Sequence, residues 1–199
     1  MSAIVVAGDT SGSVTLQAPA VAGTTVITLP ATSGTMLTNK SAGTVLQVVS
    51  TTKSNTFSTT SSSYVDVTGM SASITPTSAT SKIYIVVSIA SMVDATTGQF
   101  GGNLRLLRNS TAIAIGDAAG SAVLASVVAG GYSNQPEFSG SSTVTYLDSP
   151  ATTSATTYKI QALHTQNKTV RINSVSGDDS SATYGARYSS TITLWEIAA

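Results

Sequence analysis

"KIYIVVSIASMV", residues 82–93, decides the fold class. Successive side chains of a strand point to opposite faces, so Ile83, Ile85, Val87 and Ile89 share one face. Tyr84, Val86 and Ala90 make the other face apolar too, the pattern of a strand covered on both sides. In one small sandwich the second cover must come from elsewhere. "STITLWEIA", residues 190–198, repeats the situation: Ile192 and Leu194 lie on one face, Thr191, Thr193 and Trp195 on the other. A large ring then occupies a face that a monomer would leave wet. Tyr84, Val86 and Trp195 are therefore the candidate subunit-interface residues.

Working outward, the chain from Thr44 to Ala199 reads as one β-domain. Strands are expected near 44–50, 54–60, 63–68, 70–75, 82–93, 103–108, 111–116, 121–129, 142–148, 156–164, 169–175 and 188–197, separated by loops of Gly, Ser, Asn, Asp and Pro. Many short strands at regular spacing indicate an antiparallel sandwich or barrel. Composition agrees: Ser and Thr make up about a third of the chain, and Val, Ile, Ala and Leu supply most of its apolar residues. Branched side chains fit a pleated surface better than a helix. In the Ala-rich "GDAAGSAVLASVVAGG", residues 116–131, four glycines and the Val127-Val128 pair argue for extended chain.

Residues 1–40 form a separate arm. Thr10 to Asn39 contains no ionisable side chain, and Ile4–Ala7, Val14–Ala18 and Thr25–Leu29 are candidate strands between "GDTSG", "PAVAG" and "PATSG". Val14, Leu16 and Ala18 share a face of the first alternation, Ile27 and Leu29 a face of the second. A hairpin burying only about five modest side chains is marginal in water, so its partners are expected on other chains.

Charge and chemistry exclude several classes. Nine basic and nine acidic residues cancel, and the charged fraction of 9 % is far below the roughly 25 % of ordinary domains. Such a chain does not attract nucleic acid or an anionic membrane, and it has no apolar run long enough for a membrane span or a signal peptide. Without cysteine there is neither disulfide nor thiolate metal site. The single histidine, His164, closes "TTYKIQALH" with no G-x-S-x-G elbow in the chain, and reads as structural. Asp178 and Asp179 read as a solvated turn, because no D-x-D-x-D-G series accompanies them. "GQFGGN", residues 98–103, lacks the Lys-Ser/Thr of a phosphate cradle. The N-x-S/T triplets at Asn39, Asn109 and Asn167 are what so much Ser and Thr produces by chance. No enzyme chemistry, metal or cofactor is expected. Phe100, Tyr132, Tyr184 and Tyr188 lie in or beside Gly/Ser-rich loops. They are the candidate surface-recognition aromatics, since exposed rings stack on sugars and dominate protein contacts.

Two groups of segments carry a resemblance. "GSVTLQAPAVAGTTVITLPATSGTMLT", residues 12–38, resembles a recurrent segment of tail fibre proteins of tailed bacteriophages, especially those of cyanobacteria and marine bacteria. "SYVDVTGMSASITPTSATSKIYIVVSIAS" (63–91), "LRLLRNSTAIAIGDAAGS" (104–121), "TYLDSPATTSATTYKIQ" (145–161) and "ATYGARYSSTITLWEIA" (182–198) resemble a C-terminal β-domain of phage fibre and virion-associated proteins. The resemblance implies a trimeric, jelly-roll-like sandwich over residues 44–199. Its implied role is non-enzymatic, in a virion assembled in the host cytoplasm, with residues 1–40 docking on other virion proteins. It transfers no catalytic residue. The chain lacks the repetitive shaft of a long fibre, which keeps a capsid decoration protein as the alternative, beside a module that recognises a host surface glycan.

Overall fold

The computed structural model describes residues 3–17, 20, 21, 23, 24, 26, 31–33, 41–94, 101–130, 140–166, 168–175 and 185–199. The chain divides into two compact units, Met1–Met36 and Leu37–Ala199.

In the first unit, β1 (Ala3–Ala7) pairs antiparallel with β2 (Ser13–Gln17). "GDTSG" makes the turn: the N–H of Gly8 donates to the carbonyl of Gly12 at 2.9 Å, and Gly12 sits at φ +82°. A Cβ on Gly8 would lie 2.7 Å from the Ser11 carbonyl oxygen, so the sharp reversal requires glycine at that end. The hairpin thus joins the first two candidate strands of the arm. The third, Thr25–Leu29, lies outside the described residues apart from Val26.

The second unit is all-β, and no helix occurs among its described residues. Its strands are β3 (Val45–Lys53), β4 (Phe57–Thr59), β5 (Val65–Ile74), β6 (Lys82–Asp94), β7 (Gly102–Arg108), β8 (Thr111–Ile113), β9 (Val127–Val128), β10 (Gly140–Asp148), β11 (Thr156–His164), β12 (Thr169–Ile172) and β13 (Ser190–Ile197). One sheet runs β3-β13-β6-β12-β4 with β10 on the other edge of β6; the second runs β5-β11-β7-β8 with β9 also on β7. Every pairing is antiparallel. Set aside β4, β8 and β12, keep the two-residue β9 that pairs with β7, and number the remaining strands one to eight along the chain. The first sheet then reads 1-8-3-6 and the second 2-7-4-5, the strand order of a jelly roll.

Most expected boundaries shift by one to four residues, as where 54–60 contracts to β4, 111–116 to β8 and 169–175 to β12, and two larger differences have a visible cause. Residues 63–68 and 70–75, read as separate strands around Gly69, are one strand, β5. Gly69 adopts φ +84°, its register with β11 shifts between Lys159 and Gln161, and Thr68 and Gly69 are both exposed between the buried Val67 and Met70. Glycine's freedom at positive φ lets an irregularity bend the strand without ending it. The expected strand at 121–129 contracts to β9, because only Ser126 to Ala129 hydrogen-bond along β7.

The core fills the space between the sheets with the inward alternation of each strand: Ile83, Ile85, Val87 and Ile89 from β6, Ile192 and Leu194 from β13, Leu104 and Leu106 from β7, Tyr158 and Ile160 from β11. Fully burying one such side chain contributes about 1.5–3 kcal/mol, so this layer is the main source of stability. A polar tie crosses it at one end. Tyr158 Oη donates to Asp148 Oδ2 at 2.6 Å, and Arg108 Nη1 donates to Asp148 Oδ1 at 2.9 Å, joining β10 of the first sheet to β11 and β7 of the second. Burial, with the carboxylate beside it, pushes the Tyr158 phenol well above its ordinary range, so it remains a donor.

Candidate interaction surface

Register assembles the outer face of the six-stranded sheet from four strands. Trp195 of β13 lies opposite Val48 of β3 and Tyr84 of β6, and Tyr84 lies opposite Leu147 of β10. Cross-strand partners share a face, so Val48, Trp195, Tyr84 and Leu147 form one apolar row. Val48 is 53 % exposed, Tyr84 40 % and Leu147 54 %. The two rings touch in a tilted arrangement, centroids 5.7 Å apart. The next row is Ser50, Thr193, Val86 and Thr145, with the hydroxyls of Ser50 and Thr193 2.9 Å apart; the third is Thr52, Thr191, Ser88 and Thr143. Three consecutive rows therefore carry no acidic or basic residue of the Asp, Glu, Lys, Arg or His type. Charge begins at their rims, at Lys82, whose Nζ donates to Ser149 Oγ at 2.7 Å, and at the Arg171–Asp94 pair.

The structure thus brings Tyr84, Val86 and Trp195 together and adds two residues that the sequence left unmarked, Val48 and Leu147. Leu147 alternates against the inward residues of its own strand, which is a signal, but only the register with β6 sets it beside Tyr84. Tyr188 lies elsewhere: its N–H donates to the Asn173 carbonyl at 3.2 Å, just before β13. Phe100, Tyr132 and Tyr184 lie outside the described residues, as do Asp178 and Asp179.

The outer face of the five-stranded sheet is built differently. Asp66 accepts from Lys159 Nζ at 2.8 Å and from Gln161 Nε2 at 2.6 Å, Gln161 Oε1 accepts from Arg105 Nε at 2.9 Å, and the Arg105 guanidinium stacks 3.9 Å from the centre of the Tyr64 ring. The hydrogen bonds from Lys159 and Gln161 hold the Asp66 carboxyl below the usual range. Each member of this network finds its partner within the chain.

The remaining ionisable groups of note are buried and structural in their bonding. His164 is fully buried, and its Nδ1 accepts the N–H of Gln166 at 3.0 Å and of Lys168 at 3.3 Å. Burial, then the charge of Lys168, lowers its pKa, so the neutral ring is the form the fold holds. Glu196 is also buried; burial alone would raise its pKa, but hydrogen bonds from Gln47 Nε2 and from the N–H and hydroxyl of Thr77 outweigh it and hold the carboxyl below its usual value. Among the described residues, no group of three or more His, Cys, Asp or Glu is placed to hold a metal ion.

In the arm unit, register puts Ile4 opposite Leu16 and Val6 opposite Val14, four aliphatic side chains on one face of the hairpin. They are 51–65 % exposed. The other face carries Val5, Thr15, Ala7 and Ser13.

Compared with models of known protein families and with curated proteins, the chain matches none.

Proposed function

We propose that the chain is a non-enzymatic structural component of a tailed-phage virion, a fibre or spike protein. Its jelly-roll unit forms a homotrimer exposed on the particle, and residues 1–40 attach it to other virion proteins. The observation that carries the assembly is the outer face of the six-stranded sheet, three rows without charge that include Val48, Trp195, Tyr84 and Leu147. An extended apolar and hydroxyl-bearing sheet face suits a second protein surface better than water. Around a threefold axis such faces meet heterologously and close a ring. The resemblance of residues 12–38 to tail fibre segments supports the location, and the uncharged arm supports docking on a sheet without charge repulsion.

Antibody labelling of intact particles tests the location. Signal confined to the tail or its spikes is the expected result; signal over the whole head makes the chain a capsid decoration protein, and unlabelled particles overturn the virion reading. Deleting residues 1–40 is expected to leave a folded oligomer that no longer joins the particle, and retained incorporation removes the arm as the anchor.

A further inference from the structure

We propose that the turn from β11 to β12 is an acid-released latch: it is wound on the neutral ring of His164, and protonation of that ring opens it while the sandwich stays folded. The latch needs no second copy of the chain.

The turn carries the chain between the sheets, since β11 belongs to the five-stranded sheet and β12 to the six-stranded one. His164, the last residue of β11, is fully buried. Its Nδ1 accepts the N–H of Gln166 at 3.0 Å and that of Lys168 at 3.3 Å. Nδ1 is therefore the bare nitrogen, and the proton of the neutral ring sits on Nε2, which is buried without a hydrogen-bond partner. Both ties between ring and turn thus run through the one nitrogen that acid protonates. A proton on Nδ1 removes the acceptor and sets an N–H against two other N–H groups.

The packing around the ring does not compensate the charge. His164 lies opposite Gly102 of β7, and the side chains crowding Gly102 are Val93 of β6, Ala129 beside β9 and Val170 of β12. The His164 N–H donates to the Ser61 carbonyl, and residues 60–63 contain no ionisable side chain. Gly101, where an added Cβ would lie 3.6 Å from the ring Cε1, accepts the N–H of Thr165; "ATTGQF", residues 95–100, is uncharged. Of the charges on these elements, Lys168 opposes protonation, and Arg171 with Asp94, Arg108 with Asp148 and Lys159 with Asp66 are already paired. Arg105 of β7 donates to Gln161. A buried cation without a counter-charge is unfavourable, whereas water solvates it once the turn opens. Opening stays local, because β12 pairs with Ser91 to Asp94 of β6, away from the Lys82 to Ser88 stretch that holds β13 and the apolar rows.

The chain's single histidine gives one imidazole signal. In the full-length protein, nitrogen NMR at pH 7.5 is expected to show the Nε2–H tautomer. Amide exchange read by mass spectrometry, corrected for its intrinsic pH dependence, is expected to show protection over residues 164–168 falling at least about fivefold between pH 7.5 and 5.0. An open turn with the ordinary histidine value near 6.5 sets the ceiling at about thirtyfold. Ile85 to Val87 of β6 are expected to stay protected over the same exchange time. An Nδ1–H tautomer, a smaller fall, or loss of protection at 164–168 and 85–87 together overturns the latch, and each is read from the wild type alone. His164→Asn is expected to abolish the fall, and a fall of equal size in that variant overturns the latch as well.

Discussion

Both outer faces of the sandwich are made of strands with the same alternation, yet they treat their outward positions in opposite ways. On the five-stranded sheet, Asp66, Lys159, Gln161, Arg105 and Tyr64 satisfy one another. On the six-stranded sheet, Val48, Trp195, Tyr84 and Leu147 line up across four strands and find only themselves. Charged groups paired within the chain keep a face soluble and give it nothing to gain from a partner. Aromatic and aliphatic side chains aligned by register gain most of their available free energy only when water is removed from them. The difference separates a face whose polar groups are paired within the chain from a face whose apolar side chains stay open to water.

Substitutions can break this comparison at several depths. The deepest lies between the faces: Asp148→Ala leaves the buried Tyr158 hydroxyl without its acceptor and Arg108 without its partner. It is expected to cost about 3 kcal/mol in denaturant unfolding. A loss under 1 kcal/mol would show that the two sheets are not tied there. On the six-stranded face, Trp195→Glu puts a charge at the centre of the apolar row. Oligomer is expected to give way to monomer in size-exclusion chromatography while the far-ultraviolet dichroism stays that of a β-protein. Unchanged elution would remove Trp195 from the interface.

Acid titration separates His164 from the carboxylates Asp66 and Glu196. His164 is held neutral, with a pKa below the ordinary value near 6.5, so its contribution is complete above that pH and is lost as pH falls below it. Asp66 and Glu196, held below their usual range, lose theirs only below about pH 4. The thermal midpoint is therefore expected to decline as the pH falls below about 6.5. His164→Asn, whose side-chain oxygen can still accept an N–H, is expected to flatten that decline, and an equal slope in the variant would contradict the assignment. The smallest effect belongs to the solvent face: Asp66→Ala is expected to cost no more than about 1 kcal/mol, with the oligomer unchanged, because exposed ion pairs contribute little.

The fold was legible in the sequence where alternation is strong. Ile83 to Ile89 fixes the inward face of β6, and "TTYKIQALH" coincides with β11 from end to end. Legibility failed where a backbone conformation overrides composition, as at Gly69, which reads as a strand break and instead bends a continuous strand. The apolar rows of the six-stranded face were half legible. Tyr84, Val86 and Trp195 betray themselves by lying on the wrong side of their own strands, a local property. Val48 and Leu147 join them only through pairing partners far away along the chain, and register between distant strands leaves no local mark. In the arm the turn at "GDTSG" is marked by its two glycines, with Gly12 at positive φ, and it joins the first two candidate strands.

Sedimentation velocity of the wild-type protein beside Tyr84→Glu bears most directly on the claim that the outer face of the six-stranded sheet joins copies. The account predicts a wild-type species of three times the 20.0 kDa chain mass, reduced to a single chain by the substitution. A wild type that sediments at 20.0 kDa throughout the micromolar range, or an oligomer indifferent to a charge at Tyr84, would contradict it.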